Sequence, residues 1–239
     1  MVRTEALQQV RIVEDQGPEK GSVVSNDAGV TKDPDTLFPL QAALGYDIAQ
    51  NLFIGHHNII MEGVSDVIYL SVLSSHLETL GKTGLPVTAR LLPAGGATDI
   101  ATFIALLGGQ LQVVVLIDGN AQRQRIDNAI TQGRLAAQRV ISVDQFCSVK
   151  GADIEDLFTT QEYVDLYNAA FNKTVALTDL PGSDRIIKRL ERHEGAAFNH
   201  GRVAQYFLNN QPTIIPKLAE ETIDRFEQLI TALTNALPK

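Results

Sequence analysis

The sequence predicts an α/β domain with a central, mostly parallel four-stranded sheet, helices on its faces, and further helices added toward the carboxy terminus. Three observations carry this. Asn58-Ile59-Ile60-Met61 is a short apolar run that ends on Glu62 and turns through Gly63 into a helix. Leu111-Gln112-Val113-Val114-Val115-Leu116-Ile117 is apolar and largely β-branched, and it ends on Asp118-Gly119-Asn120. Between and after these runs, apolar residues recur at helical spacing. Runs this short, closed by turn signals, read as interior strands of a parallel sheet that are covered on both faces.

The elements follow in order. Val10 to Val13 and Gly21 to Val24 are β-like pieces separated by the turn-prone Gln16-Gly17-Pro18, and Asp27 to Asp35 reads as a connector. From Asp35, the residues Leu40, Leu44, Ile48 and Leu52 form one helical stripe that ends at Gly55. His56 and His57 follow as exposed turn residues. After the first core strand, Val67, Leu70, Leu73, Leu77 and Leu80 mark an amphipathic helix. Gly81 closes it as a C-cap. Gly81-Lys82-Thr83 is not a Walker A motif, because His76 stands where that motif needs glycine and no strand precedes it. Leu85 to Leu92 is the second core strand. Gly95-Gly96 either admits a phosphate at the N-terminus of the next helix or makes a tight turn capped by Thr98 or Asp99, the tight turn weighing more, and leads into a helix from Ile100 to Leu107. The strand that ends at Asp118 is followed by a polar helix over Gln122 to Gln132 and a short fourth strand from Val140 to Val143. Gly151 to Phe158 is an acidic approach to a helix through Tyr163, Leu166 and Tyr167. Pro181-Gly182-Ser183-Asp184 starts another helix, with Ile186, Ile187 and Leu190 inward. Phe226, Ile230, Leu233 and Leu237 mark the last one.

The chain has 239 residues, ordinary apolar and charged fractions, and a single cysteine, Cys147. It is long enough for one sizeable core, and it can form neither an intrachain disulfide nor a cysteine zinc cluster. No run approaches the ~18 apolar residues of a membrane span, and no signal-peptide core is visible. The expectation is a cytoplasmic protein with no membrane partner. A formal net charge of -8 argues against a uniformly basic nucleic-acid surface. The basic residues are nevertheless grouped, in Arg123, Arg125, Arg134 and Arg139 and again in Arg185, Lys188, Arg189 and Arg192. Each group reads equally as a solvated helix face or as a DNA surface, with Arg123, Arg125, Arg185 and Arg189 as the candidate DNA contacts.

The chemistry concentrates at the strand ends. In an open parallel sheet the ligand crevice lies outside the carboxyl ends of the strands, so Glu62 and Asp118 leave the sheet toward the same edge. Acids gathered there need a cation to coexist, and hard oxygen donors suit Mg²⁺ or Mn²⁺ rather than zinc. Asp66 falls in the first turn of the helix after Glu62, where capping alone explains an acid. Asp153, Glu155 and Asp156 surround Ile154, and alternation cannot bury all three.

Four blocks, in this order, give the chain a resemblance. They are Asp35-Thr36-Leu37-Phe38-Pro39-Leu40-Gln41-Ala42-Ala43-Leu44-Gly45, Ile60-Met61-Glu62-Gly63-Val64-Ser65-Asp66, Leu116-Ile117-Asp118 and Asp153-Ile154-Glu155-Asp156-Leu157. With them the chain resembles the carboxy-terminal nuclease half of the OLD (overcoming lysogenization defect) ATP-dependent endonucleases. The resemblance implies a Toprim-like, Rossmannoid core at residues 35–150. It also implies a helical part at 151–239 that completes a nuclease site. Residues 1–34 are then an amino-terminal extension or the end of an ATPase region that this chain lacks.

The implied activity is endonucleolytic cleavage of DNA with two Mg²⁺ or Mn²⁺ ions per site. Glu62, Asp66, Asp118 and Glu155 are the implied ligands, and Lys188 stands in a position like the family's catalytic lysine. The implied partners are DNA and an ATPase domain or subunit, with a homodimer as a family-based expectation. Asn120 departs from the pattern, since many Toprim sites carry a second aspartate there. Three consequences stay open. They are weaker affinity or a preference for Mn²⁺, compensation by Asp153 or Asp156, and an inactive relic. The alternative function is a catalytically weak or silent module that acts in assembly with an ATPase partner.

Overall fold

The computed structural model describes residues 12–15, 21–25, 57–95, 100, 113–119, 123–131 and 135–237. The helix expected from Asp35, most of the helix expected after Ile100, and the residues His56, Gly96, Thr98, Asp99, Asn120 and Arg134 lie outside them. The chain forms two compact units, Met1–Gly55 and His56–Lys239.

In the first unit β1 (Ile12–Asp15) and β2 (Ser22–Ser25) pair antiparallel, with Ile12 opposite Ser25 and Asp15 opposite Ser22. These are the two β-like pieces flanking Gln16-Gly17-Pro18.

The second unit is an α/β domain. Its sheet contains β3 (His57–Met61), β4 (Ala89–Pro93), β5 (Val113–Ile117) and β6 (Val140–Ser142) in the order β4-β3-β5-β6. All three pairings are parallel. Alternate residues supply two cores. Ile59, Met61, Val114 and Leu116 join the larger core on one face, while Ile60, Val113, Val115 and Ile117 join a smaller one on the other, with Ile100, Ile126 and Leu135. This two-sided burial is what a run without polar alternation requires.

The helices are α1 (Val64–Thr79), α2 (Arg123–Thr131), α3 (Thr160–Phe171), α4 (Ile186–Glu194), α5 (His200–Ile214) and α6 (Glu220–Ala236). The end of α1 confirms the C-cap reading. Gly81 has φ +71°, its N–H donates to Glu78 O, and the Lys82 N–H donates to Leu77 O, the paired bonds of a Schellman motif.

Two element starts move by a turn or more. The second core strand begins at Ala89 rather than Leu85, because the Leu85 N–H is held by Ser74 Oγ and Pro86 O accepts from the Ala89 N–H in a turn. Pro86 could not have donated to a ladder in any case. The helix expected from Pro181 begins at Ile186 instead, since Gly182 sits at φ +104°, outside helical space.

Helix α5 has no counterpart in the sequence reading. Gly201, Asn209, Asn210 and Pro212 weaken its helical signal, and Val203, Ala204 and Phe207 are its fully buried contacts. It packs with α6 on α1. A ring cluster ties these helices to the acidic segment. Phe158 meets Tyr69, Phe207 and Phe226 edge-on at centroid distances of 5.1, 5.7 and 5.2 Å. Phe158 directly follows a 3-10 turn over Ile154–Leu157, so the cluster fixes where that turn lies.

Candidate functional site

The chain runs from β3 to β4 on one side, then returns to place β5 on the other side of β3. The reversal makes a topological switch point between the carboxyl ends of β3 and β5, where open α/β sheets bind their ligands. Glu62 follows β3 there and Asp118 follows β5. A Glu62 carboxylate oxygen accepts the Asp118 N–H at 3.4 Å, a long bond that holds the two strand ends together.

Two further segments close on this edge. Helix α1 is preceded by its N-cap Gly63, whose N–H donates to Asp66 Oδ2 at 2.9 Å, so Asp66 is turned back over the strand end and buried. Capping therefore does explain part of Asp66. The 3-10 turn is brought in by Gly119, whose N–H donates to Ala152 O at 3.0 Å. A Cβ at Gly119 would stand 2.5 Å from Asp144 Oδ2 and 2.6 Å from Gly151 Cα. Only glycine allows the Gly151-Ala152 backbone this close to the end of β5. The result is that Asp153 and Glu155 are buried beside Glu62, Asp66 and Asp118. Asp156 is buried as well, so all three acids around Ile154 are covered, against the expectation from alternation, because the segment is a 3-10 turn and not a strand.

Crowding is visible in the proton affinities. Burial, then the charges of Glu155 and Glu62, push Asp66 up to about 7. Burial also raises Asp118 well above the aspartate range, with Asp66, Asp153, Glu62 and Glu155 adding to it. Glu62 and Asp153 are raised for the same first reason. Asp156 is pushed up to about 6 by burial, against the pull of two backbone donors. Its oxygens accept the Asp153 N–H at 3.0 Å and the Ile186 N–H at 2.8 Å. Asp156 is thus a clasp between the acidic turn and α4.

Two basic side chains reach the cluster. The Arg185 guanidinium is hydrogen-bonded to Asp153 Oδ1, and His200 Nδ1 lies 3.1 Å from Glu155 Oε1. That contact raises the His200 pKa above its ordinary value. His200 was not among the residues singled out from sequence. Its signal was a histidine at the start of the Val203, Ala204, Phe207 stripe, which is too short to mark a helix alone.

The expected site residues thus divide. Glu62, Asp66, Asp118, Asp153 and Glu155 converge, although among the described residues no group of three His, Cys, Asp or Glu side chains is placed to hold a metal ion. Lys188 is exposed on α4 and donates to Glu191 Oε2 at 2.6 Å. Helix α4 reaches the acids through Arg185 and Ile186 instead. Arg189 donates from Nε to Leu180 O at 3.0 Å. Arg123 and Arg125 stand at the start of α2. His57 is the first residue of β3, at the end of that strand away from Glu62, with its Nδ1 2.7 Å from Thr88 Oγ1. It is therefore a strand residue and not part of a turn. Among the described residues no helix is long and apolar enough to cross a membrane.

Four parallel strands flanked by helices, with acids at the switch point, define an α/β domain consistent with a Toprim-like fold. No protein-family model and no curated protein sequence matches the chain. Among solved structures, it is similar to the C-terminal region of the Xanthomonas campestris pv. campestris OLD protein, with a TM-score of 0.50 at 16% identity. The likeness covers 77% of this chain and 93% of that one. The sequence resemblance and the structural likeness therefore fall on the same kind of protein, and the fold is that of an OLD C-terminal region.

Proposed function

We propose that this chain is the nuclease region of an OLD-family ATPase-nuclease, a Toprim-type endonuclease that cleaves DNA phosphodiester bonds with divalent metal ions. The observation that supports this most is the convergence of Glu62 and Asp118 at the switch point, with Asp66, Asp153 and Glu155 folded against them. An all-oxygen set in which burial and neighbouring charges raise Glu62, Asp66, Asp118 and Asp153 is the donor chemistry that hard divalent cations relieve.

Glu62, Asp66, Asp118, Asp153 and Glu155 are the residues proposed to hold two Mg²⁺ or Mn²⁺ ions, together with Asn120. When bound, such ions supply an activated water and charge neutralisation at the phosphate. The residues of the chain orient this site. The Gly63 N–H aims Asp66, Gly119 admits the acidic turn, and Asp156 fixes that turn to α4. Lys188 is proposed to offset phosphate charge, which requires it to exchange Glu191 for the substrate. DNA, an ATPase domain or subunit, and a second copy of the chain are the proposed partners.

A second reading has a specific observation behind it. Arg185 occupies Asp153, and the acids are not drawn into a closed ligand shell, as in a silent module that acts only in assembly. A nicking assay on supercoiled plasmid with Mg²⁺ and with Mn²⁺ separates the two. The nuclease reading requires metal-dependent nicking that Glu62→Ala abolishes and His57→Ala retains. Absence of nicking with either metal, in a folded protein, supports the silent module.

A further inference from the structure

Behind the acidic turn lies a second concavity of about 410 Å³, bordered by the start of α3, the loop before α4, and α4 and α6 themselves. Asp156 is the partition. It lines this cavity, and its carboxylate holds the backbone of Asp153 on the acid cluster side. Two helices begin at the cavity, α3 at Thr160 and α4 at Ile186, so it faces the positive ends of two macrodipoles. Ile186 has given its N–H to Asp156, so the dipoles do not make a site by themselves.

The wall also carries two arginines, of which Arg189 has no ion-pair partner among the described residues. Arg189 from α4 and Arg225 from α6 both line the cavity, and both are steadied by backbone carbonyls. Arg189 donates to Leu180 O, and Arg225 Nη1 lies 3.5 and 3.4 Å from the carbonyls of Leu157 and Phe158. A neutral acceptor orients a guanidinium without cancelling its charge. Of the acids of the same wall, Asp184 accepts at both oxygens from Arg192 Nη2 and Glu221 pairs with Arg225, while Asp156 is held by two backbone N–H groups that leave its charge in place. Arg189 has no carboxylate within ion-pair distance among the described residues, so its charge stays open to the cavity. Thr160 and Ser183 line the same wall.

A fixed guanidinium without an ion-pair partner, with hydroxyl-bearing residues beside it, is phosphate-binding chemistry. We infer that this cavity holds a backbone phosphate of a nucleic-acid strand, adjacent to the phosphate at the acid edge, with Arg189 as its principal contact. The identity of the ligand as a strand rests on the nuclease reading, and the charge argument does not.

The test is fluorescence anisotropy with a short labelled DNA duplex, in EDTA so that no cleavage chemistry enters, repeated over a range of salt. Arg189→Ala should weaken binding about tenfold, one lost charge-assisted contact. It should also flatten the dependence of log affinity on log salt by about one ion. Thr160→Glu guards against a folding artefact, because an acid in the first turn of α3 suits the helix while repelling phosphate. It should keep the thermal midpoint and weaken DNA to a similar degree. Arg90→Ala removes a guanidinium that is likewise tethered to carbonyls, but on the far edge strand β4, and should have little effect.

Wild-type affinity in both Arg189→Ala and Thr160→Glu overturns the inference, as does an equal loss in Arg90→Ala. Thermal stabilisation by inorganic phosphate that Arg189→Ala removes, with DNA affinity unchanged, also overturns it, by assigning the cavity to a free anion. Failure of metal-dependent nicking with this binding pattern intact would count against the nuclease reading alone.

Discussion

Glu62 and Asp118 are 56 positions apart in the chain and are joined by a hydrogen bond, from the Asp118 N–H to Glu62 Oε1 at 3.4 Å. The contact follows from strand order. With β3 and β5 neighbours and parallel, the first residue after each strand lands on the same edge. Burial, and then mutual repulsion, raises the proton affinity of Glu62, Asp66, Asp118 and Asp153 at that edge.

The metal-free protein should lose stability as pH rises. A carboxyl whose folded pKa lies above its unfolded value binds its proton more tightly when folded. Stability then falls between the two values and levels off above the higher one. For Asp66 the window runs from 3.8 to about 7, and for Asp156 from 3.8 to about 6. Thermal melts in EDTA should show a midpoint lower by several degrees at pH 7.5 than at pH 5. Mn²⁺ should reduce the difference. A midpoint that climbs over this range would contradict the assignment of buried, mutually repelling acids.

Gly119→Ala should be destabilising out of proportion to one methyl group. Its Cβ would stand 2.6 Å from the Gly151 backbone and 2.5 Å from Asp144, so the acidic turn must move away from β5. Overpacking of this kind costs about 1 to 3 kcal/mol. Chemical denaturation should report that loss, and an unchanged midpoint would show that the turn is not clasped there.

Asp156→Ala removes the acceptor of two buried N–H groups, those of Asp153 and Ile186. Each orphaned donor costs about 1 to 3 kcal/mol. Asp156→Asn, which keeps one oxygen, should recover part of the stability. Equal losses in the two variants would mean that Asp156 acts through its charge instead.

Arg185→Ala should separate stability from metal binding. Without its guanidinium Asp153 has no cation, so the melt in EDTA should fall, and saturating Mn²⁺ should restore most of it. A deficit that Mn²⁺ leaves untouched would make Arg185 a purely structural residue.

Much of this was legible in the sequence because parallel strands covered on both faces are written as unbroken apolar runs. The runs ending at Met61 and Ile117 announce themselves, and with them the placement of Glu62 and Asp118. What stayed hidden depends on distant partners. Nothing local in Gly119 says that Gly151 will press on it. Arg185 sits among basic residues and reads as one of a DNA-facing group, while its actual partner is Asp153, 32 positions earlier. Helix α5 carries a proline and two asparagines near its end and owes its existence to packing on α1 and α3, so His200 beside Glu155 was out of reach. The helix after Pro181 was placed too early because a glycine at φ +104° cannot be read from a letter.

The most direct measurement is a calorimetric titration of the purified chain with Mn²⁺ and with Mg²⁺, set beside Glu62→Ala and Asp118→Asn. The unaltered chain should bind saturably and release more protons as pH is lowered toward 7, and both variants should lose the signal. No binding heat at any pH, or binding that survives both substitutions, would mean that the carboxyls at the ends of β3 and β5 are not gathered there for a cation.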